Sequence, residues 1–268
     1  MMRLKDNSLS RVVRLGVLLL AAAPLPALAA DHWLPVEGTD CTVWSEQPLK
    51  PGEVIRWSGG CEDGRLSGKG VLQVSVSGDS GLRFEGVMQG GKANGEGTLA
   101  SSEPEGDSRY TGGFADSLFD GYAVLELADG SRYEGGFKAD KPDGYGLYQG
   151  PDGSLYQGNL SDGAPQGEGF EVTADGAKYH GDFNAGGRDG QGTLLFADGS
   201  IYEGGFADGK ANGKGVYTDP FNDVFAGTWS DGKADGEFLV TRADGTTEKQ
   251  LWRNDQQVAA AGGSGGAQ

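Results

Sequence analysis

The stretch from Tyr202 to Gly215, YEGGFADGKANGKG, is one copy of a unit that recurs along the chain. Aromatic residues open successive copies at a fixed interval of 23 residues, at Tyr110, Tyr133, Tyr156, Tyr179, Tyr202 and Phe225, and each is followed two residues later by glycine. A strict period of this length means that one supersecondary unit is copied, and that neighbours bury between them a face that no single copy could bury alone. Numbered from its aromatic, each copy has glycine at position 3 (Gly112, Gly135, Gly158, Gly181, Gly204, Gly227) and an apolar residue at position 5 (Phe114, Phe137, Leu160, Phe183, Phe206, Trp229). Position 12 is again glycine, and an Asp-Gly pair such as Asp129-Gly130 or Asp198-Gly199 closes most copies.

Asp-Gly between short alternating runs is the strongest local signal for a β-hairpin. The sequence therefore predicts an all-β protein, an elongated, twisted antiparallel sheet of successive β-hairpins. With a two-residue turn at positions 20 and 21, position 15 lies opposite the glycine at 3 of the next copy, and position 17 opposite its aromatic. Position 15 is apolar in nearly all copies (Val124, Leu147, Phe170, Val216, Leu239), so positions 1, 3, 5 and 15 are expected to form one stripe. Glycines at 3, 12 and 14 leave room for rings to lie flat on the strand beneath.

The pattern Tyr-x-Gly-x-Phe-x-x-Gly-x-x-x-Gly-x-Gly with a later Asp-Gly resembles the MORN (membrane occupation and recognition nexus) repeat, and the resemblance extends over about Trp57 to Gly245. It implies an array of hairpins that serves as a scaffold or binding module; phospholipid binding belongs to the family's name rather than to these residues. The first copy is degenerate but legible, with Trp57, Gly59, Cys61, Gly64, Gly68 and Gly70 at positions 1, 3, 5, 8, 12 and 14. The Tyr202 copy has Asp219-Pro220-Phe221-Asn222 in place of Asp-Gly, and the excess residues near Ser102 to Asp107 read as a surface loop.

The ends read differently. Residues 1–29 carry four cations and then an apolar run ending in Ala27-Leu28-Ala29, the form of a secretory signal peptide cut after Ala29. That implies a periplasmic or secreted protein of a Gram-negative-type envelope. Losing the leader removes four positive charges and one negative, taking the net charge from −17 to −20. A field of that sign repels nucleic acid and anionic headgroups and favours a basic partner. Cys41 and Cys61 are the only cysteines, and in an oxidising compartment they are expected to form a disulfide tying a capping segment, residues 30–54, to an array over 55–247. Residues 248–258 read as a C-terminal capping strand and 259–268 as a disordered tail.

No catalytic, cofactor-binding or metal-binding residues are assigned. Gly204 to Lys210 and Gly227 to Lys233 fit the opening of a phosphate-binding loop, but Ala211 and Ala234 follow where Ser or Thr is needed, and a hairpin offers no helix N-terminus. His32 and His180 have no nucleophile beside them. Asp208 and Asp231 recur at one repeat position and read as turn residues, with calcium held between acidic loops as the alternative. The candidate surface is the aromatic ladder Tyr110, Phe114, Tyr133, Phe137, Tyr156, Tyr179, Phe183, Tyr202, Phe206, Phe225 and Trp229, read as core for most of its rings and as a binding groove where exposed. The expected function is a non-enzymatic, cofactor-free scaffold for protein–protein interaction. The alternatives are a phospholipid or membrane-surface module and a glycan- or peptidoglycan-binding groove. Homodimerisation through sheet edges is a further expectation.

Overall fold

The computed structural model describes residues 32–76, 79–103 and 106–258. The expected leader and C-terminal tail lie outside them. The described chain forms 22 strands and no helix, and it divides into two compact units, Met1–Pro151 and Asp152–Gln268. The first holds β1 (His32–Pro35), β2 (Thr42–Ser45), β3 (Glu53–Trp57), β4 (Gly60–Glu62), β5 (Arg65–Val76), β6 (Asp79–Gln89), β7 (Lys92–Glu103), β8 (Gly106–Ala115), β9 (Leu118–Glu126), β10 (Arg132–Lys138) and β11 (Lys141–Gln149). From β5 to β11 each strand pairs antiparallel with the next, while β3 and β4 together form the first strand of the meander against β5.

The second unit repeats the plan with β12 (Leu155–Ser161), β13 (Ala164–Val172), β14 (Lys178–Asn184), β15 (Gly187–Leu195), β16 (Ile201–Ala207), β17 (Lys210–Thr218) and β18 (Val224–Ser230). It closes with β19 (Lys233–Ala234), β20 (Gly236–Thr241), β21 (Thr247–Arg253) and β22 (Gln256–Val258), so residues 248–258 form two strands rather than one. All-β hairpin architecture is thus what the repeat specifies.

The register differs from the expected one by a single residue. Tyr133 lies opposite Leu125 and Gly135 opposite Ala123, so position 1 faces position 16 and position 3 faces position 14. The same holds for Tyr202 opposite Leu194 and Gly204 opposite Gly192. The cause is the closing turn. Gly130, Gly153, Gly176, Gly199 and Gly245 take positive φ near 83–89°, whereas the preceding aspartates do not. The Gly199 N–H donates to the Phe196 carbonyl and the Phe196 N–H to the Ser200 carbonyl, the pattern of a three-residue loop centred on Asp198. Aspartate belongs there because its carboxylate accepts the N–H two residues on, at 2.9 Å from Ser200 and 2.8 Å from Ser131. Asn222 takes the glycine's place in the Tyr202 copy, with φ 67°, so Asp219–Asp223 forms the same loop without Asp-Gly.

A one-residue slip exchanges the two faces of a strand. Position 16 therefore joins the aromatic face, where Leu125, Tyr148, Leu194 and Val240 are buried, and position 15 turns to the other face, where Leu239 is exposed. Two-residue turns do occur, at positions 7 and 8, where Asp116-Ser117, Ala139-Asp140, Asp208-Gly209 and Asp231-Gly232 have positive φ at both residues. The excess residues around Ser102 to Asp107 lengthen the β7–β8 hairpin, with Ser102 still paired to Asp107, instead of forming a loop.

The core is built from one repeated contact. A Cβ placed on Gly192 would meet the Tyr179 ring at 2.5 Å, and one on Gly135 would meet the Tyr133 hydroxyl at 2.5 Å. Tyr133, Tyr156, Tyr179 and Tyr202 thus lie across the paired glycines at 3 and 14 of their own copies, which corrects the expectation that position 15 covers Gly at 3; in the Tyr110 copy Ala123 holds position 14. Position 12 has a different reason for glycine: Gly121, Gly144, Gly167 and Gly213 have φ between 72° and 91° and open space around them. We expect Gly192→Ala to cost about 2 kcal/mol by overpacking against Tyr179. Gly153→Ala, in a loop with open space, should cost about 1 kcal/mol from backbone strain alone. Thermal denaturation of the two variants checks the order; a smaller loss at Gly192 contradicts the ring-over-glycine contact.

Candidate functional site

The aromatic ladder is tied down at both ends of each ring. The tyrosine hydroxyl at position 1 donates to the carbonyl at position 4, at 2.7 Å for Tyr110 to Gly113, 3.0 Å for Tyr133 to Gly136, 2.8 Å for Tyr156 to Asn159, and 3.0 Å for Tyr179 to Asp182 and Tyr202 to Gly205. Trp57 makes the equivalent bond from its indole N–H to the Gly60 carbonyl at 2.9 Å, so the degenerate first copy keeps the geometry with a different ring.

Rings at position 5 pack edge-on between tyrosines: Phe206 lies 5.0 Å from Tyr179 and 5.2 Å from Tyr202, and Phe137 5.4 Å from Tyr110 and 5.1 Å from Tyr133. Such pairs add about 0.5–1.5 kcal/mol each beyond burial. Tyr110, Phe114, Tyr133, Phe137, Tyr156, Tyr179, Phe183, Tyr202 and Phe206 are all buried, whereas Phe225 and Trp229 are half-buried. In the Phe225 copy the roles invert, and Phe238 at position 14 lies over Gly227.

Burial raises the phenols: Tyr179 and Tyr202 are pushed up to about 12, and Tyr110 is raised by desolvation reinforced by the nearby Glu96 carboxylate.

One polar pair interrupts this face. Arg188, at position 10 and only 7 % exposed, stacks 4.9 Å over the Tyr179 ring and donates from Nε to the Glu171 carboxylate at 2.8 Å. Glu171 takes a position 16 that is apolar in every other copy. Nothing in the spacing of the repeat singles these two out before the register is known.

The remaining sequence-flagged residues fall on the outside. His180 Nε2 lies 3.3 Å from Glu168 in the open, Lys210 pairs with Asp231 at 2.9 Å, and Asp208 caps an exposed turn. His32 opens β1, and its Nδ1 is buried without a hydrogen-bond partner. Among the described residues no group of three or more His, Cys, Asp or Glu side chains could share a metal ion.

Cys41 and Cys61 are joined, with Cα atoms 6.1 Å apart. Cys41 is buried, but Cys61 is exposed despite its position 5, because the first copy has no preceding tyrosine for that position to pack against. The bridge holds the N-terminal segment across the first two copies. Thr42 pairs in parallel with Arg65, and the N–H groups of Thr42 and Trp44 donate to the carbonyls of Gly64 at 3.0 Å and Gly91 at 2.9 Å. Gly64 and Gly91 both stand at position 8, in the two-residue turns of successive copies. Arg65 lies 3.2 Å over Trp33 and Lys92 5.2 Å over Trp44. Between this segment and the aromatic face runs a cleft of about 320 Å³ lined by apolar side chains including Val43, Leu49, Leu72, Leu99 and Leu127.

A row of equivalent turns, a largely buried aromatic spine and a strand seated on the turns define a β-hairpin repeat protein. The model of the MORN repeat matches residues 110–132, 133–155, 156–178, 179–201, 202–220 and 225–237, so the chain carries six MORN repeats. The copies at Trp57 and Phe84 share the geometry outside that match. No curated protein matches the chain. Among solved structures it is similar to the TCP10 domain of CPAP from Danio rerio, at 15% identity and a TM-score of 0.37, over 78% of this chain and 94% of that one. It is also similar to the TCP domain of SAS-4 from Drosophila melanogaster, solved in complex with a proline-rich motif of Ana2, at 11% identity and a TM-score of 0.34, over 87% and 99%.

Two outcomes follow from the core. An unfolded chain ionises its phenols near pH 10, while the folded one keeps Tyr179 and Tyr202 protonated to about 12. The unfolded state therefore binds fewer protons in that window, and stability falls as pH rises from 10 towards 12. Tyrosinate absorbance should rise in two steps, the later one coinciding with loss of β-sheet circular dichroism. Arg188→Met alone leaves Glu171 without its partner and should cost about 2 kcal/mol, below the value for a fully buried pair because Glu171 is partly exposed. Adding Glu171→Leu should restore most of the loss, as read from urea midpoints.

Proposed function

We propose that this chain is an exported, non-catalytic scaffold that binds a protein partner through its repeat array. The observation that carries this is the seating of β2: an extended segment is held crosswise by backbone groups of successive copies, which is how a repeated surface receives a polypeptide. Export is supported by the leader pattern and by the Cys41–Cys61 bridge, which an oxidising compartment maintains. A cofactor has no part in this reading, and the acidic surface favours a partner with basic segments.

Affinity capture from an envelope extract, with and without residues 156–201, tests the proposal. Two whole copies leave with that deletion, and the register lets the flanking strands pair again. The full chain should retain a specific protein, the shortened chain should lose it while keeping its β-sheet spectrum, and single substitutions at exposed positions such as Tyr145 should weaken capture only a few-fold, since contacts in an array are spread. Complete loss of function from His180→Ala or Asp208→Ala in a folded protein would point to a localised active site instead.

A further inference from the structure

The turns at positions 7 and 8 form a second hydrogen-bonded row beside the sheet. The N–H at position 8 donates to the carbonyl at position 10 of the preceding copy: Gly91 to Leu66, Ser117 to Ala93, Asp140 to Phe119, Gly186 to Pro165, Gly209 to Arg188, Gly232 to Ala211 and Asp255 to Ala234, at 2.8–3.1 Å. This leaves an outward carbonyl at 8 in each copy and, except where position 10 is Pro142 or Pro165, an outward N–H at 10.

What becomes of them depends on the side chain at position 8. Where it is Ser or Asp, it reaches back and takes the N–H at 10: Ser117 Oγ accepts from Ala93 at 3.0 Å, Asp140 from Phe119 at 2.7 Å and Asp255 from Ala234 at 2.7 Å. Where it is glycine, no such cap exists. β2 sits on Gly64 and Gly91, the two glycine copies of the first unit that precede the capped turns at Ser117 and Asp140.

Beyond Gly163, whose copy has Pro165 at position 10, the second unit has a run of glycine copies of its own, at Gly186, Gly209 and Gly232. No hydrogen bond among the described residues reaches the carbonyls of these three glycines or the N–H groups of Arg188 and Ala211. The geometry points to this row as a second strand-docking site, taking an extended polypeptide segment of a partner protein in the manner of β2. N–H groups two residues apart on β2, those of Thr42 and Trp44, meet the carbonyls of two successive copies, so one extended chain can engage neighbouring turns of the row.

The side chains at position 9 give the segment its chemistry. Arg65 donates to Thr42 Oγ at 2.9 Å and Lys92 covers Trp44, and the same position in the second unit carries Lys210 and Lys233. The preferred segment therefore has hydroxyl or aromatic side chains at alternate positions facing those cations, with apolar residues between them, as in Thr42-Val43-Trp44. This rests on the scaffold reading and specifies one surface for it.

The probe is a fluorescent peptide of residues 39–47 carrying Cys41→Ser, titrated against the full-length chain by anisotropy. The first-unit row is occupied by the disulfide-tied β2, so saturable binding is expected at the second. The double variant Gly209→Asp and Gly232→Asp supplies the carboxylate caps found at Asp140 and Asp255, which adopt φ of 68° and 66°, so the fold tolerates them. It should weaken the peptide at least tenfold with an unchanged melting temperature, and N-methylation of the peptide at Thr42 and Trp44 should do the same to the wild-type complex. Amide resonances of Arg188 and Ala211 should shift on titration. Equal affinity for wild type and capped variant, or no saturable binding below about 1 mM, overturns the site. Should the capped variant also capture the envelope partner as well as wild type does, the row is excluded while the scaffold itself stands.

Discussion

A tyrosine ring laid over two facing glycines, with its hydroxyl bound to the backbone of its own strand, is the contact on which the rest of this protein depends. It calls for glycine at 3 and 14 in the Tyr133, Tyr156, Tyr179 and Tyr202 copies, since a side chain there meets the ring. It uses the phenol's one donor hydrogen inside the copy and buries the ring, so the ring is a structural part. It also sets the slots into which position 5 fits edge-on, which is why neighbouring copies need one another. The substitution of Trp57 for tyrosine preserves both the glycine pair and the bond to position 4, so the constraint is geometric and not peculiar to tyrosine.

The hairpin array, its period and its degenerate first copy were legible because they rest on residues with few alternatives. Glycine in register with an aromatic has one economical explanation. The strand register was not legible, because positions 15 and 16 are both apolar in most copies, as with Val124-Leu125 and Leu147-Tyr148, and hydrophobicity cannot say which of two adjacent apolar residues faces inward. The turn decides that, and Asp-Gly admits two solutions: both residues at positive φ, as at Asp208-Gly209, or glycine alone after a side-chain-capped aspartate, as at Asp198-Gly199. The Phe225 copy carries the dipeptide in both forms, at Asp231-Gly232 and at Asp244-Gly245.

The surface features were harder to read for a related reason. The turn-to-turn row is made of backbone groups, and its open and closed stretches differ only by glycine against Ser or Asp at position 8, a change that passes for ordinary turn variation. Arg188 and Glu171 each look like solvated charges until the corrected register places both on the aromatic face. Cys61 errs in the opposite direction, since a core position in the repeat is not a core position in its first member.

The two sides of each hairpin row differ in how much they can vary. On the side of the two-residue turns, successive copies within each unit are hydrogen-bonded to one another, so an inserted residue there would break a link in a chain of links. On the side of the three-residue loops no backbone-to-backbone link of this kind is found among the described residues, only side-chain bonds such as Ala243 N–H to Asp223, and the chain has already lengthened its hairpins there, with β5 and β7 each running to 12 residues while positions 1 and 16 keep their pairing. New sequence can therefore enter one margin of the array without disturbing the other, which makes that margin the natural place to graft a foreign epitope or binding loop in multiple, evenly spaced copies.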